Sequence, residues 1–289
     1  MSDTPTKPLD AALELLSSIR QQVDGDMKSK LDDLNALLVD AHRTGAGEDA
    51  DALRQEIENL IALNARFVSV MVHEIRVPMT SIKGYGDMLA KNVVGELNDM
   101  QMQFVETIRS NVSRMEHLVS DISDISKIQS GRLRLESKMD MYKNIILQVE
   151  KNIGSLAEDH NHTLVFDTPS GLPILNLDGA RLAQVIEKLL HNALQYTPDG
   201  GEITVRAEAV DGRLKVSVID TGIGMTTEEL SHVGELFWRA DSDHVRSFKG
   251  HGLGLPIAKG LIELLGGEFF VESTPEQGSV FGFIVDGMS

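Results

Sequence analysis

The feature that most restricts how this chain can fold is an apolar seam in its first third. Leu53, Ile57, Leu60, Asn64, Phe67 and Met71 recur at alternating steps of four and three, the spacing of a coiled-coil stripe. The seam contains one polar residue, Asn64. A buried Asn costs stability but fixes register, which predicts parallel pairing of two identical helices. The periodicity continues through His73 to about Val94. Gly95, Asn98 and Asp99 predict a turn, and a second long helix follows from about Met100 to Gln129, with Ile108, Val112, Met115, Leu118, Ile122, Ile125 and Ile128 on one face. Two antiparallel helices cannot bury both stripes alone, whereas two copies in a four-helix bundle can. Packing alone therefore predicts a homodimer.

Upstream, Leu9, Leu13, Leu16, Ile19 and Val23 form one short helical stripe, and Leu31, Leu34, Leu38 and Ala41 form another. They carry no assignable motif, and a helical hairpin or dimerising collar is the simplest reading. After Arg132 the pattern changes to short β-rich runs at Thr163–Phe166, Ile203–Ala209, Leu214–Ile219, Phe269–Glu272 and Val280–Val285. Asp211-Gly212 marks a hairpin between two of them. Helical runs at about Gly179–Tyr196 and Leu255–Leu265 complete an α/β domain, with a largely antiparallel sheet and helices on one face. The 289 residues thus divide into a helical region at 1–52, a hairpin at 53–135 and an α/β sandwich at 136–289.

The formal charge of −17 argues against nucleic acid or an anionic membrane as a partner of the general surface. There is no cysteine, which excludes disulfides and thiolate chemistry. The opening MSDTPTKPLD lacks the basic start and apolar core of a signal peptide, and no run reaches the roughly 18 apolar residues of a membrane span. A cytoplasmic protein without membrane insertion is expected.

Two glycine clusters are placed where an anion could be held. DTGIGM (220–225) follows the strand ending at Ile219, and GHGLGL (250–255) precedes a helix. Closely spaced glycines let backbone N–H groups approach an anion, and a helix N-terminus favours negative charge. Each stretch alone reads equally well as a tight turn. Neither ends in the Gly-Lys-Ser/Thr of a Walker A loop, and the sheet lacks the parallel βαβ units of a Rossmann fingerprint. Within AQVIEKLLHNALQYTPDGG, Glu187, His191 and Asn192 lie within a turn and a half, and an Asn amide oxygen suits Mg²⁺. The competing reading is a polar helix face closed by Pro198 and Gly200-Gly201. His160, His162 and His251 have no partner pattern and read as surface or loop residues. HEIRV is no HExxH zinc site, because Val77 stands in the second histidine's place.

The order of these motifs resembles the sensor histidine kinases of two-component signalling, over most of the chain from about Leu53 onward. VHEIRVPMTSIKGY looks like the phospho-acceptor box and LLHNALQYTP like the N box. DTGIGM and GHGLGL look like the two glycine boxes, and LFWRA like the F box of a lid. The resemblance implies a dimeric helical-bundle hairpin followed by an α/β-sandwich ATP-binding domain. It implies that ATP phosphorylates His73 with the adjacent Glu74 as proton acceptor, and that the phosphoryl group passes to an aspartate of a response-regulator receiver domain. It implies Asn192 as the Mg²⁺ ligand, Asp220 as acceptor from the adenine amino group, and Tyr196 against the adenine. Gly222, Gly224, Gly250, Gly252, Leu253 and Gly254 would admit the nucleotide and hinge the lid, which holds Phe237 and Arg239. An upstream sensor protein is a further implied partner.

Three positions depart from the family pattern. Lys188 replaces the first Asn of the N box, and Gln195 replaces the usual Lys before the tyrosine. Val77 stands where Thr or Asn is usual; it is nearly isosteric with Thr but cannot orient water, which implies weak or absent phosphatase activity. Lys188 and Gln195 leave room for a nucleotide-binding scaffold that acts by dimerisation and docking. A chaperone or topoisomerase-like ATPase fits less well, because an acceptor box precedes the domain. Pro78 lacks an N–H and crowds the Glu74 carbonyl, so a bend or loosening is expected at the His73–Glu74 pair.

Overall fold

The structure is a computed structural model that describes residues 47–159, 161–240 and 250–288. The two upstream stripes and His160 lie outside these residues. The chain divides into two compact units, ending and beginning at Val70 and Met71. In the first, Ile57 is buried while Asn64 and Phe67 of the seam are exposed.

Helix α1 spans Gly47–Ala90 and runs unbroken through Pro78. The Thr80 hydroxyl donates to the Arg76 carbonyl at 2.9 Å, two residues beyond the Glu74 carbonyl that Pro78 cannot serve. The helix ends earlier than its apolar pattern, and Asn92 and Gly95 turn the chain with positive φ. Helix α2, Asp99–Gln129, starts on a capping box in which Asn98 and Gln101 exchange side-chain and backbone bonds. Lys83–Glu116 and Arg109–Asp87, both at 2.7 Å, tie the two helices. Val72, Met79, Val105, Val112 and Val119 are buried, but Ile82, Tyr85, Phe104, Ile108 and Met115 remain exposed.

The remaining elements are β1 (Lys138–Met141), α3 (Tyr142–Asp159), β2 (Thr163–Asp167), β3 (Ile174–Leu177), α4 (Gly179–Tyr196), β4 (Glu202–Val210), β5 (Arg213–Asp220), α5 (Thr227–Ser231), α6 (Gly254–Leu264), β6 (Glu268–Thr274) and β7 (Gly278–Asp286). One sheet has the order β2-β4-β5-β7-β6, and β1 pairs separately with β3. The expected antiparallel pairing holds along β4-β5-β7-β6, while β2 runs parallel to β4. Alternation aims Ile203, Val205, Ala207, Leu214, Val216, Val218, Phe281 and Phe283 into one core, where α3, α4 and α6 meet them. On the opposite face, the Phe270 ring covers Gly282, with Lys215 Nζ 5.3 Å above the ring.

Further features differ from the sequence reading. Helix α3 was not expected, although Ile145, Ile146, Val149 and Ile153 give it a buried stripe. His162 is not a surface residue: it is buried, with Nε2 3.0 Å from the Thr197 carbonyl. No helix among the described residues is long and apolar enough to cross a membrane.

Helix α2 also packs outward. Leu118, Ile122, Ile125 and Ile128 lie against the sandwich core, and a Cβ on Gly260 of α6 would come within 2.9 Å of Ile128.

A side chain at position 282 would meet the Val216 carbonyl at 2.5 Å as well as the Phe270 ring. Gly282→Val should therefore lower stability by about 1–3 kcal/mol, read as a lower urea midpoint by circular dichroism.

Candidate active site

Strand β5 ends at Asp220, which is only 5% exposed. Its Oδ1 accepts from the Gly222 amide at 2.8 Å and the Ser279 amide at 3.1 Å. Burial pushes its pKa above the usual carboxylate value, while those two backbone bonds oppose the shift. Because both bonds fall on Oδ1, the second oxygen is left for another donor. Gly222 does not line the cavity itself. It permits the turn, since a Cβ there would stand 2.6 Å from both Asp220 Oδ1 and the Tyr196 carbonyl. Gly224 has φ +65°, and a Cβ on it would run into the Thr274 carbonyl.

Asp220 forms part of the wall of a cavity of about 490 Å³. Helix α4 contributes Lys188, Asn192, Gln195 and Tyr196, spaced so that one helical face looks inward. Gly250, Gly252, Leu253 and Gly254 also line it. Leu253 stands at the N-cap of α6 and offers no capping side chain. The first α6 amides therefore have no side-chain acceptor there, and the helix field favours an anion. The segments on either side of residues 241–249 are joined by Phe237 N–H to the Gly252 carbonyl at 3.1 Å and by Arg239 Nη1 to the Gly250 carbonyl at 3.0 Å.

Arg239 lines the cavity, but Phe237 does not; it is 59% exposed. Its neighbour Trp238 lines the wall instead, stacked on His232 with ring centroids 5.3 Å apart. The sequence reading passed over Trp238, although the chain has a single Trp and it lies inside LFWRA. Asn192 supplies one hard oxygen to the cavity beside Glu187. One such donor fits Mg²⁺, which keeps most of its shell for water and phosphate oxygens.

His73 and Glu74 form a separate site. His73 Nδ1 lies 3.3 Å from Glu74 Oε1, and both side chains are nearly three-quarters exposed. Neither lines the cavity described above. A smaller cleft between α1 and α2 is lined by Arg76, Met79, Thr80, Glu116 and His117, and His117 reaches both cavities. Val77 is 57% exposed and presents only methyl groups beside the pair.

Residues 63–131 match the family described as His Kinase A (phospho-acceptor) domain. Residues 177–287 match the family described as histidine kinase-, DNA gyrase B- and HSP90-like ATPase. The chain is 31% identical over 83% of its length to the histidine protein kinase DivJ of Caulobacter vibrioides, covering 40% of that protein. It is 33% identical over 81% of its length to the sensor protein GacS of Pseudomonas syringae, covering 26% of that protein. It thus spans less than half of these curated relatives. Among solved structures, full-length ShkA in complex with AMPPNP superimposes with a TM-score of 0.66 at 25% identity, over 78% of this chain and 46% of that one.

Asn in place of Asp220 would keep an oxygen for the two amides and remove a buried charge. A raised acid pKa costs stability above that pKa and nothing below the unfolded value of 3.8. Asp220→Asn should melt at or above wild type at pH 7, with the gap closing as the pH falls towards 3.8. A lower melting temperature at pH 7 would contradict this.

Proposed function

We propose, from the premise that this chain belongs to the sensor histidine kinases of two-component signalling, that it uses ATP to phosphorylate His73 and passes the phosphoryl group to an aspartate of a receiver domain. The observation that supports this best is the presence, on one chain, of an exposed imidazole–carboxylate pair and a separate cavity with a buried acceptor at one end and an uncapped helix start at the other.

In this reading the adenine amino group donates to the second oxygen of Asp220, and Tyr196 packs on the base. The phosphates lie towards Gly252, Leu253 and Gly254, within reach of Arg239. Asn192 would hold Mg²⁺, which offsets phosphate charge. Nε2 of His73 attacks the γ-phosphorus, the bond to the bridging oxygen breaks, and ADP leaves with the electron pair. The Nδ1 proton passes to Glu74, 3.3 Å away. Since His73 lies off the cavity wall, the cavity must move relative to α1 or serve His73 of a second copy. A homodimer fits the apolar residues that one hairpin leaves exposed on both helices. The receiver domain then docks where His73 is accessible, and an upstream sensor acts through α1.

A second reading is a nucleotide-binding scaffold. Lys188 favours it, because this cation on the cavity wall is already paired with Asp121.

γ-Labelled ATP with Mg²⁺ should label the wild type in an acid-labile, alkali-stable form. His73→Ala should remove the label, and Glu74→Gln should slow it by about a hundredfold or more. No label on the wild type would favour the scaffold. Asp220→Asn would turn an amide donor towards the adenine amino group and should weaken ATP binding about tenfold or more. Val77→Thr should confer ADP-stimulated release of inorganic phosphate from a phosphorylated receiver. Rapid release by the wild type would overturn the assignment of Val77.

A further inference from the structure

Lys188 has two anionic claimants. Its Nζ lies 2.5 Å from Asp121 Oδ1 of α2, and both side chains are about four-fifths buried. Its stem passes Gly254: a Cβ there would stand 3.9 Å from Lys188 Cδ. The stem therefore runs beside the uncapped N-terminus of α6, where the proposed nucleotide places its phosphates, while the ammonium rests on a carboxylate of α2. Lys188 is also half of a polar seam between α4 and α2. Gln184 donates to Asp124 at 2.6 Å, and Arg181 stands 3.5 Å from the same carboxylate. The residues at 181, 184 and 188 share one α4 face, and Asp121 and Asp124 share the opposing α2 face.

We infer that Lys188 exchanges Asp121 for the phosphates of the bound nucleotide, so that loading the cavity loosens α4 from α2. This rests on the nucleotide reading of the cavity. The geometry gives the exchange its direction. A flexible four-carbon stem anchored beside Gly254 can swing its ammonium a few ångströms without moving the helix. A polyphosphate offers more negative charge than one carboxylate. The carboxylate left behind is largely desolvated beside Leu118 and Ile122, an unfavourable state that separation of α2 from α4 relieves. His73 is off the cavity wall in the paired arrangement, so a device that frees the cavity only when it is loaded would time the approach to His73. Asp121 acts here through Lys188 and is a positioning residue.

The test is a double-mutant cycle in nucleotide affinity on the full chain, by calorimetry with ATP and with adenosine. Asp121→Asn should tighten ATP about threefold or more and leave adenosine unchanged. Lys188→Gln should weaken ATP about threefold or more, again without effect on adenosine, and Lys188→Arg should restore most of the loss. The Asp121→Asn gain should shrink by more than half in the Lys188→Gln background. The chain has no cysteine, so Ser110→Cys with Glu208→Cys gives a clean label pair on α2 and β4. ATP should change energy transfer between the labels, and adenosine should not. An unchanged ATP affinity in Asp121→Asn, an equal gain for adenosine, or a gain that persists without Lys188 would overturn the exchange. Wild type that binds neither ligand would overturn the nucleotide reading itself, and the exchange with it.

Discussion

Helix α2 has one apolar stripe and must satisfy two neighbours with it. Val105, Val112 and Val119 are buried in the hairpin, while Leu118, Ile122, Ile125 and Ile128 face the sandwich core. Four large residues on the outward stripe, at about 1.5–3 kcal/mol each when fully buried, would hold a domain in place. They are only partly buried, so the contact is weaker than that, comparable to an interface that can open. Asp121 and Asp124 on the same stretch add register through Lys188, Arg181 and Gln184. Charged pairs that are largely desolvated add little net stability but discriminate strongly among alignments. The helix thus combines a modest apolar contact with a polar seam that specifies one docking position.

The cavity depends on that docking for one wall and on backbone geometry for the rest. Asp220 holds its orientation through two amides, that of Gly222 beside it and that of Ser279, 59 residues further along the chain. The orientation of its carboxylate is therefore fixed by backbone amides rather than by neighbouring side chains. The opposite end is set by an apolar N-cap, Leu253, where a Ser or Asp would have closed the helix start. A buried acceptor and an open helix start impose a direction on any occupant: a donor group at one end and an anion at the other.

What could be read in the sequence follows from the range of the interactions involved. Both long helices were legible, because a stripe repeated over many turns has few alternatives. The strands β4, β5 and β7 were legible from alternation. The short strands β1 and β3 were not, since four residues with Met139 and Asn176 as partners give no period. Helix α3 was legible in principle from Ile145, Ile146, Val149 and Ile153. Its amphipathic stripe was overlooked because no motif falls on it. In the candidate site, the glycines and Asp220 were found by order and spacing, which are local. The burial of His162 against the Thr197 carbonyl and the pairing of Lys188 with Asp121 arise from chain segments 35 and 67 residues apart. Nothing local announces either.

Lys188 shows how one departure can change meaning once it has a place. On the sequence it is a missing Asn, a possible loss of metal binding. In the fold it is a cation with a stem against the helix start and a head on a neighbouring helix. Pairing with Asp121 neutralises a charge that would otherwise repel the divalent ion proposed at Asn192, one turn along the same face. On the proposed reading, removing the pair without supplying phosphate would leave a cation beside the proposed metal ligand Asn192, and supplying phosphate without Lys188 would leave the anion short of one counter-charge. The two residues are therefore consistent as a unit and costly apart. The Gln195 amide packs against Gly250, about 3.1 Å from a Cβ placed there.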